Sequence, residues 1–449
     1  MIDPRRLLAA SPASLPRYTS YPTAPHFNER DVAAATAELR AAAARAETVS
    51  AYVHVPFCDR LCWFCGCRTR HTLRHEPVAE YVDSLEREIL ACAGGLDRAP
   101  AIAHLHLGGG SPSMLNADEF VRLRKALGHA FGFARNAEIA VEIDPGDAGS
   151  QTFEGIAGLG ATRASIGVQD FDPAVQAAIN RPQTFERTRD VIAALRSLGV
   201  ASINIDMLYG LPLQTLPRLL DTARRVIELQ PDRIALFGYA HVPWVKKHQQ
   251  MIREADLPDG VARFEHAAAA AELLVAAGYR RIGIDHFARP GDALSQASDA
   301  GRLRRNFQGY TTDDCAIMLG FGASAIARHP GGYVQNIVAT GQYRRAVAEG
   351  RAPAGRALRL TGDDRARAFV IERLMCDFSF DPAVLAADHP REAPGLIALA
   401  GGIADGEGLL ERRQGRFSIP AAARPLARVV ASRFDAYLGE GRFRYSRAV

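Results

Sequence analysis

Six short apolar runs, each followed by an amphipathic segment, constrain this chain more than any other feature. The runs fall at 51–55, 103–107, 139–143, 164–168, 202–208 and 234–239. Helical periodicity follows at 78–92, 117–131, 184–198 and 216–229. Alternation of this kind reads as βα units around a parallel sheet. Six units predict an incomplete α/β barrel, in which chemistry gathers at the carboxyl ends of the strands.

The unusual residues do fall at those ends. Cys58, Cys62, Cys65 and Cys67 follow the first run, and Gly108-Gly-Gly-Ser-Pro follows the second. Glu142, Asp144 and Pro145 close the third, and Gln169 and Asp170 the fourth. Asp206 and Tyr209-Gly-Leu-Pro lie at the fifth, and Tyr239, Ala240 and His241 follow the sixth.

Cys58, Cys62 and Cys65 are spaced C-x3-C-x2-C. Three thiolates so close can hold three irons of a [4Fe–4S] cube. The fourth iron is then open to an amino group and a carboxylate, which S-adenosylmethionine (SAM) offers. A zinc site closed by Cys67 is an alternative, although zinc pairs its cysteines differently. A cluster bound by all four cysteines is another. A disulfide framework is disfavoured in a long, cysteine-poor chain. Cys92, Cys315 and Cys376 are isolated and read as buried packing residues.

Glu142 and Asp206 end apolar strands, where an unpaired carboxylate is costly. Each is either half of a rim salt bridge or an acceptor for ribose hydroxyls or a cofactor ammonium. Gln169 and Arg181 are candidates for a carboxylate or a purine edge; for Arg181 alone, a surface role is the simpler reading. Gly108–Gly110 lack the Cβ that would hold a ligand away from the backbone.

Length and composition fit a large soluble enzyme domain with a smaller companion: 449 residues, 48% hydrophobic and 23% charged. A net charge of +4 is too mild for nucleic acid. No apolar run spans a membrane and no leader is evident, so a cytoplasmic protein is expected. The only lysines are Lys125, Lys246 and Lys247. Three regions are expected: an arm at 1–35, the barrel with its extension at 36–330, and a mainly helical domain at 331–449. Within them, 290–335 reads as a polar loop region, 366–376 and 422–438 as helices, and 409–419 as a hairpin around Gln414-Gly415.

Longer stretches then supply a resemblance. They are RYTSYPTA at 17–24, YVHVPFCDRLCWFCGC at 52–67, HLGGGSPSMLN at 106–116, VEIDP at 141–145, GVQDFD at 167–172 and NRPQT at 180–184. They continue as NIDMLYGLPLQT at 204–215, FGYAHVPW at 237–244, IGIDHFARPGD at 282–292, RNFQGYTT at 305–312, GFGASAI at 320–326 and FDAYL at 434–438. In this order they resemble the oxygen-independent coproporphyrinogen III oxidases (dehydrogenases), radical SAM enzymes of haem biosynthesis. One departure is Leu15-Pro16 before Arg17, where the family commonly shows Gly-Pro.

The resemblance implies a TIM-like (β/α)6 radical SAM barrel with an N-terminal arm and a mainly helical C-terminal domain. It implies oxidative decarboxylation of two propionates of coproporphyrinogen III to vinyl groups, giving protoporphyrinogen IX through a 5′-deoxyadenosyl radical. Cys58, Cys62 and Cys65 would ligate the cluster. Tyr52, Gly109, Glu142 and Ile326 would line a first SAM. Phe64, Gly110, Ser111, Gln169, Arg181, Asp206 and Ala240 would line a second. Cys67 and Gln308 would lie near the second SAM or the substrate. Arg17, Arg304 and Arg305 are candidates to meet the propionates. The expected partners are coproporphyrinogen III and an electron donor such as flavodoxin or ferredoxin, with no nucleic acid, no membrane and a monomeric state. Rival readings are a haem-trafficking protein on the same fold and a radical SAM enzyme with another substrate. Cys67, the arm and the 305–312 loop disfavour the first.

Overall fold

A computed structural model describes residues 14–406, 408–440 and 444–445. The first thirteen residues of the expected arm, and 407, 441–443 and 446–449 of the expected C-terminal domain, lie outside the described residues. Six parallel strands stand side by side in chain order: β1 (Thr48–Val55), β2 (Ala101–Gly109), β3 (Phe133–Ile143), β4 (Arg163–Gln169), β5 (Ser202–Tyr209) and β6 (Arg233–Gly238). After them, in turn, come helices α1 (Glu76–Gly94), α2 (Ala117–Ala130), α3 (Ser150–Leu159), α4 (Phe185–Ser197), α5 (Leu216–Glu228) and α6 (Gly260–Ala276). Local chemistry starts several of them. Asn116 and Glu119 form a reciprocal capping box on α2, and Thr184 and Asp259 cap α4 and α6.

The strands are two-faced. In β4, Ala164, Ile166 and Val168 are buried against the helices, while Arg163, Ser165 and Gln169 are only half-buried and Gly167 lies between them. The same alternation puts Glu138 and Glu142 of β3, and Asn204 and Asp206 of β5, on the inner face. Ile139, Val141, Ile143, Ile203, Ile205 and Met207 join the outer core. The result is an α/β incomplete barrel with an apolar outer wall and a polar lumen.

The sheet continues at both edges. Beyond β6 lie antiparallel β7 (Arg280–Ile282) and β8 (His286–Ala288). A hairpin, β9 (Arg304–Asn306) and β10 (Gly309–Thr311), carries Phe307 and Gln308 at its tip. On the other side β11 (Met318–Phe321) adds parallel to β1, followed by antiparallel β12 (Ile326–His329), β13 (Gly332–Asn336) and β14 (Ala354–Arg359). Residues 290–335 are therefore not simply a loop region: five short strands of three to five residues and the helical turn Ala293–Asp299 organise much of them.

A second core forms around α7 (Gly362–Asp377), where Val370, Leu374, Phe380, Phe417 and Phe434 are buried together. The hairpin at 411–418 forms, turning at Gln414 and Gly415, both at positive φ. The helix expected at 422–438 is broken: Pro425 sits in a 3-10 turn (Ala421–Leu426), and only Ala427–Ser432 is α-helical. Tyr18 and Tyr21, from the other end of the chain, are buried in this same core. Tyr18 donates to Asp435 at 3.0 Å, and the Tyr21 hydroxyl accepts from the Ala436 N–H at 2.9 Å.

Candidate active site

The cysteine run leaves β1 and crosses the carboxyl end of the barrel. Its start is fixed by the triple glycine: Gly110 donates its N–H to the Val55 carbonyl and Ser111 to that of Phe57, at 2.8 and 2.7 Å. A Cβ on Gly110 would stand 2.6 Å from the Phe57 oxygen, and one on Gly109, at φ +118°, 2.5 Å from the His54 ring. The glycines thus admit the protein's own neighbours, a tighter demand than ligand approach alone.

The rest of the run is held by a segment that sequence reading did not single out. Lys246 donates to the Cys67 carbonyl at 2.7 Å and His248 to that of Cys65 at 2.8 Å. Gln249 bridges the carbonyls of Phe64 and Ala240 at 2.9 and 3.1 Å. Asn180 reaches the Leu61 carbonyl at 3.0 Å. The available signal was the adjacent Lys246-Lys247 pair in a chain with one other lysine.

All seven cysteines are free thiols. Cys62 is buried, Cys58 and Cys65 are half-buried, and Cys67 is exposed on the cavity wall. Arg181 Nη1 stands 3.4 Å from Cys62 Sγ and 2.8 Å from Asp144 Oδ2, and Nη2 donates to the Gly167 carbonyl at 2.7 Å. The guanidinium is therefore buried against a cysteine and a carboxylate, not exposed on the surface. Cys65 is lowered to about 7 chiefly by hydrogen bonding from the Cys67 thiol; burial opposes this, and the Cys67 N–H and the Lys246 and Arg181 charges lower it further. A thiolate is the form that binds iron.

A single-ion site is tested by spacing. Among the described residues, one group of three His, Cys or carboxylate side chains has ligating atoms all within 4.8 Å, and it is His104, Asp314 and Cys315. Cys58, Cys62 and Cys65 are not so gathered, although their charges sense one another. Zinc would demand such crowding, since its Zn–S bonds are about 2.3 Å. Three thiols on an open loop, spread wider than one ion, fit a polynuclear cluster.

Below the loop the lumen holds a cavity of about 470 Å³. Glu142 accepts from His106 Nε2 and from the Gly109 N–H, both at 3.0 Å. Burial alone would raise its pKa, but His106 and Gly109 hold it below the ordinary carboxylate range. Tyr52 stacks on His106, with ring centroids 5.8 Å apart. The Arg68 carbonyl accepts from His54 Nε2 at 3.0 Å, leaving Nδ1 to accept from the Tyr52 hydroxyl at 3.0 Å. Asp206 accepts from Ser165 and Asn204 at 3.2 and 2.8 Å and forms no ion pair among the described residues. Burial, with Glu142 nearby, raises it to about 6.

The remaining named residues surround this core. Gln169 ends β4 at φ +68°, beside an irregularity in the pairing with β5. Ser111 is buried against Ser113 at 2.7 Å. Ile326 packs beside Gly320, which pairs with Tyr52 across β11 and β1. Gln308 shares the cavity wall with Cys67, Glu142 and Asp206. Of the arginines considered for the substrate, Arg17 and Arg305 line the cavity; Arg304 is exposed and paired with Glu372 at 3.1 Å.

An incomplete α/β barrel with three cysteines looped over the carboxyl end of β1 defines a radical SAM protein, and the Radical SAM superfamily profile matches residues 52–226. The chain is 46% identical over 437 residues to the oxygen-independent coproporphyrinogen III oxidase of Bradyrhizobium diazoefficiens, covering 97% of each. It is 43% identical to that of Paracoccus denitrificans, covering 95% of this chain and 94% of the relative. The solved coproporphyrinogen III oxidase of Escherichia coli, described as a radical SAM enzyme, superposes with a TM-score of 0.89 at 37% identity, covering 94% of this chain and 98% of its own. The chain belongs to the oxygen-independent coproporphyrinogen III oxidases.

Proposed function

We propose that this protein decarboxylates two propionate side chains of coproporphyrinogen III to vinyl groups, giving protoporphyrinogen IX without oxygen. The observation that carries this is the three-cysteine loop, too open for one ion and set over a polar, carboxylate-lined lumen in a chain related to these oxidases along nearly its full length. Bound together, a [4Fe–4S] cluster and SAM supply an electron and a carbon radical able to take hydrogen from a propionate β-carbon.

The protein's part is to hold, orient and exclude. Cys58, Cys62 and Cys65 hold the cluster as thiolates, and Arg181 offsets charge beside Cys62. Tyr52, Gly109, Glu142 and Ile326 receive the first SAM. Glu142, ionised and backed by His106, is suited to accept from an ammonium or a hydroxyl. Phe64, Gly110, Ser111, Gln169, Arg181, Asp206 and Ala240 receive a second. Cys67 and Gln308, both on the cavity lining, meet that molecule or the substrate. The arm closes the cavity with Arg17 and Thr19, limiting access of water and stray hydrogen donors.

The reductant meets the outer side of the same loop. Arg68, Arg70, Lys246 and Lys247 line a recess there, a basic surface suited to an acidic carrier such as flavodoxin or ferredoxin. No helix among the described residues is long and apolar enough to cross a membrane. The protein works in the cytoplasm as a monomer.

The decisive assay is anaerobic reconstitution followed by SAM, reductant and coproporphyrinogen III. Protoporphyrinogen IX with two carbon dioxides per turnover is expected. Tight haem binding without SAM cleavage would overturn the proposal. Cys67→Ser is expected to keep the iron content while turnover falls roughly tenfold or more; loss of iron would make Cys67 a ligand.

A further inference from the structure

A second cavity, of about 120 Å³, lies beside the lumen between β6, α6, β7 and the C-terminal core. Five guanidinium groups line it, from Arg17, Arg263, Arg281, Arg305 and Arg428, against one carboxylate, Asp285. Arg17, Phe237, Asp285 and Arg305 line both cavities, so the two share a wall.

Backbone carbonyls help to orient most of these guanidinium groups. Arg17 donates to the Gly238 carbonyl at 2.7 Å. Arg263 donates to those of Gly210 and Tyr239, at 3.2 and 2.9 Å. Arg428 reaches the carbonyls of Leu15 and Pro16, at 2.7 and 3.1 Å. Arg281 makes a long contact, 3.4 Å, to the Ile284 carbonyl.

Arg305 is held differently, beside a carboxylate. Its side chain is 4% exposed and stands 3.8 Å from Asp285, over the Tyr310 ring at 4.5 Å. Its Nε and Nη1 are buried without a hydrogen-bond partner among the described residues. Burial depresses Arg428 to about 10; at Arg305 burial acts the same way, but Tyr310 and Asp285 carry it above the ordinary guanidinium value. Arg17 and Arg281 are open to solvent, but the buried charge of Arg305, with one carboxylate at 3.8 Å and two unmet donors, is costly unless an anion completes it.

The size and chemistry select the anion. The space suits a small group, and planar guanidinium forks match a carboxylate. We propose that this pocket anchors one propionate of the tetrapyrrole while another propionate is presented in the lumen beside Cys67 and Gln308. This rests on the substrate reading above. The anchor makes recognition depend on a carboxylate remote from the reacting one, and it includes Arg263, Arg281 and Arg428, which the sequence did not single out.

The test is anaerobic fluorescence titration of the cluster-loaded full chain with coproporphyrin III, as the tetra-acid and as its tetramethyl ester. Wild type should prefer the tetra-acid. Arg305→Gln and Arg281→Gln should each weaken tetra-acid binding roughly tenfold or more, leaving ester binding unchanged. Arg305→Lys should lose less than Arg305→Gln. Iron content reports that each variant has folded. Unchanged tetra-acid binding, or equal weakening of acid and ester, would overturn the pocket. Turnover is read separately: acid binding that depends on Arg305, without protoporphyrinogen IX formation, would overturn the function and leave the pocket standing.

Discussion

The two ends of the barrel lumen are built from the same residue types to opposite effect. At the amino end the charges are matched: Arg163 meets Glu138 at 2.6 Å, and Arg233 Nε meets both oxygens of Asp292 at 2.8 and 2.9 Å. At the carboxyl end Asp206 has only neutral donors among the described residues, Glu142 leans on a histidine, and Cys67 and Gln308 face the cavity. One end spends its polar groups on itself; the other leaves them available. This is the division expected of α/β barrels, with stability below and chemistry above.

The contrast can be broken from either end. Cys62→Ala should have the largest effect, removing the iron and reducing turnover below about a thousandth of wild type while the urea midpoint of the metal-free protein barely moves. Iron content by colorimetric assay, with turnover, checks it. Arg233→Ala should do the reverse. It strands Asp292, which is 6% exposed, and should cost about 3–5 kcal/mol of stability by urea unfolding. The folded fraction should still load iron.

A pH experiment sharpens the comparison at a third site. Glu88 of α1 accepts from Tyr343, Asn336 and the Gly322 N–H, pinning the turn between β11 and β12. Burial nonetheless raises it from 4.5 to about 7. The folded state therefore holds this proton more tightly than the unfolded chain. Its stabilising contribution is full below pH 4.5 and is lost as pH rises through about 7. Across that window wild type should lose on the order of 3 kcal/mol or less that Glu88→Gln, which does not titrate, does not lose. Parallel urea titrations at several pH values would show it; identical profiles would remove Glu88 as the source.

The barrel was legible because each strand contains a short apolar run and the unusual residues cluster at or just beyond its carboxyl end. Strands expected at 139–143 and 202–208 occur as Phe133–Ile143 and Ser202–Tyr209. The extension was not legible. Its strands, such as Met318–Phe321 and Ile326–His329, are too short for periodicity and interrupted by Gly320 and Gly322. Only pairing with β1 and with one another defines them. In the site, the cysteines and strand-end carboxylates announced themselves by type. Supporting groups such as His106, Lys246 and Gln249 did not, because their roles are to touch a carboxylate or a carbonyl distant in sequence. The same holds for the arginine pocket, assembled from residues 17 to 428.

The seating of Tyr18 and Tyr21 in a core containing Phe434 has a consequence for how the protein is made. Cys65 leaves the ribosome long before residue 434 does. At about 5–20 residues per second, the intervening stretch takes from roughly twenty seconds to over a minute to synthesise. Until then the arm has no seat, and the cysteine loop lies beneath a doorway without its door. Assembly of iron and sulfide on the nascent chain has that interval in which to happen unobstructed.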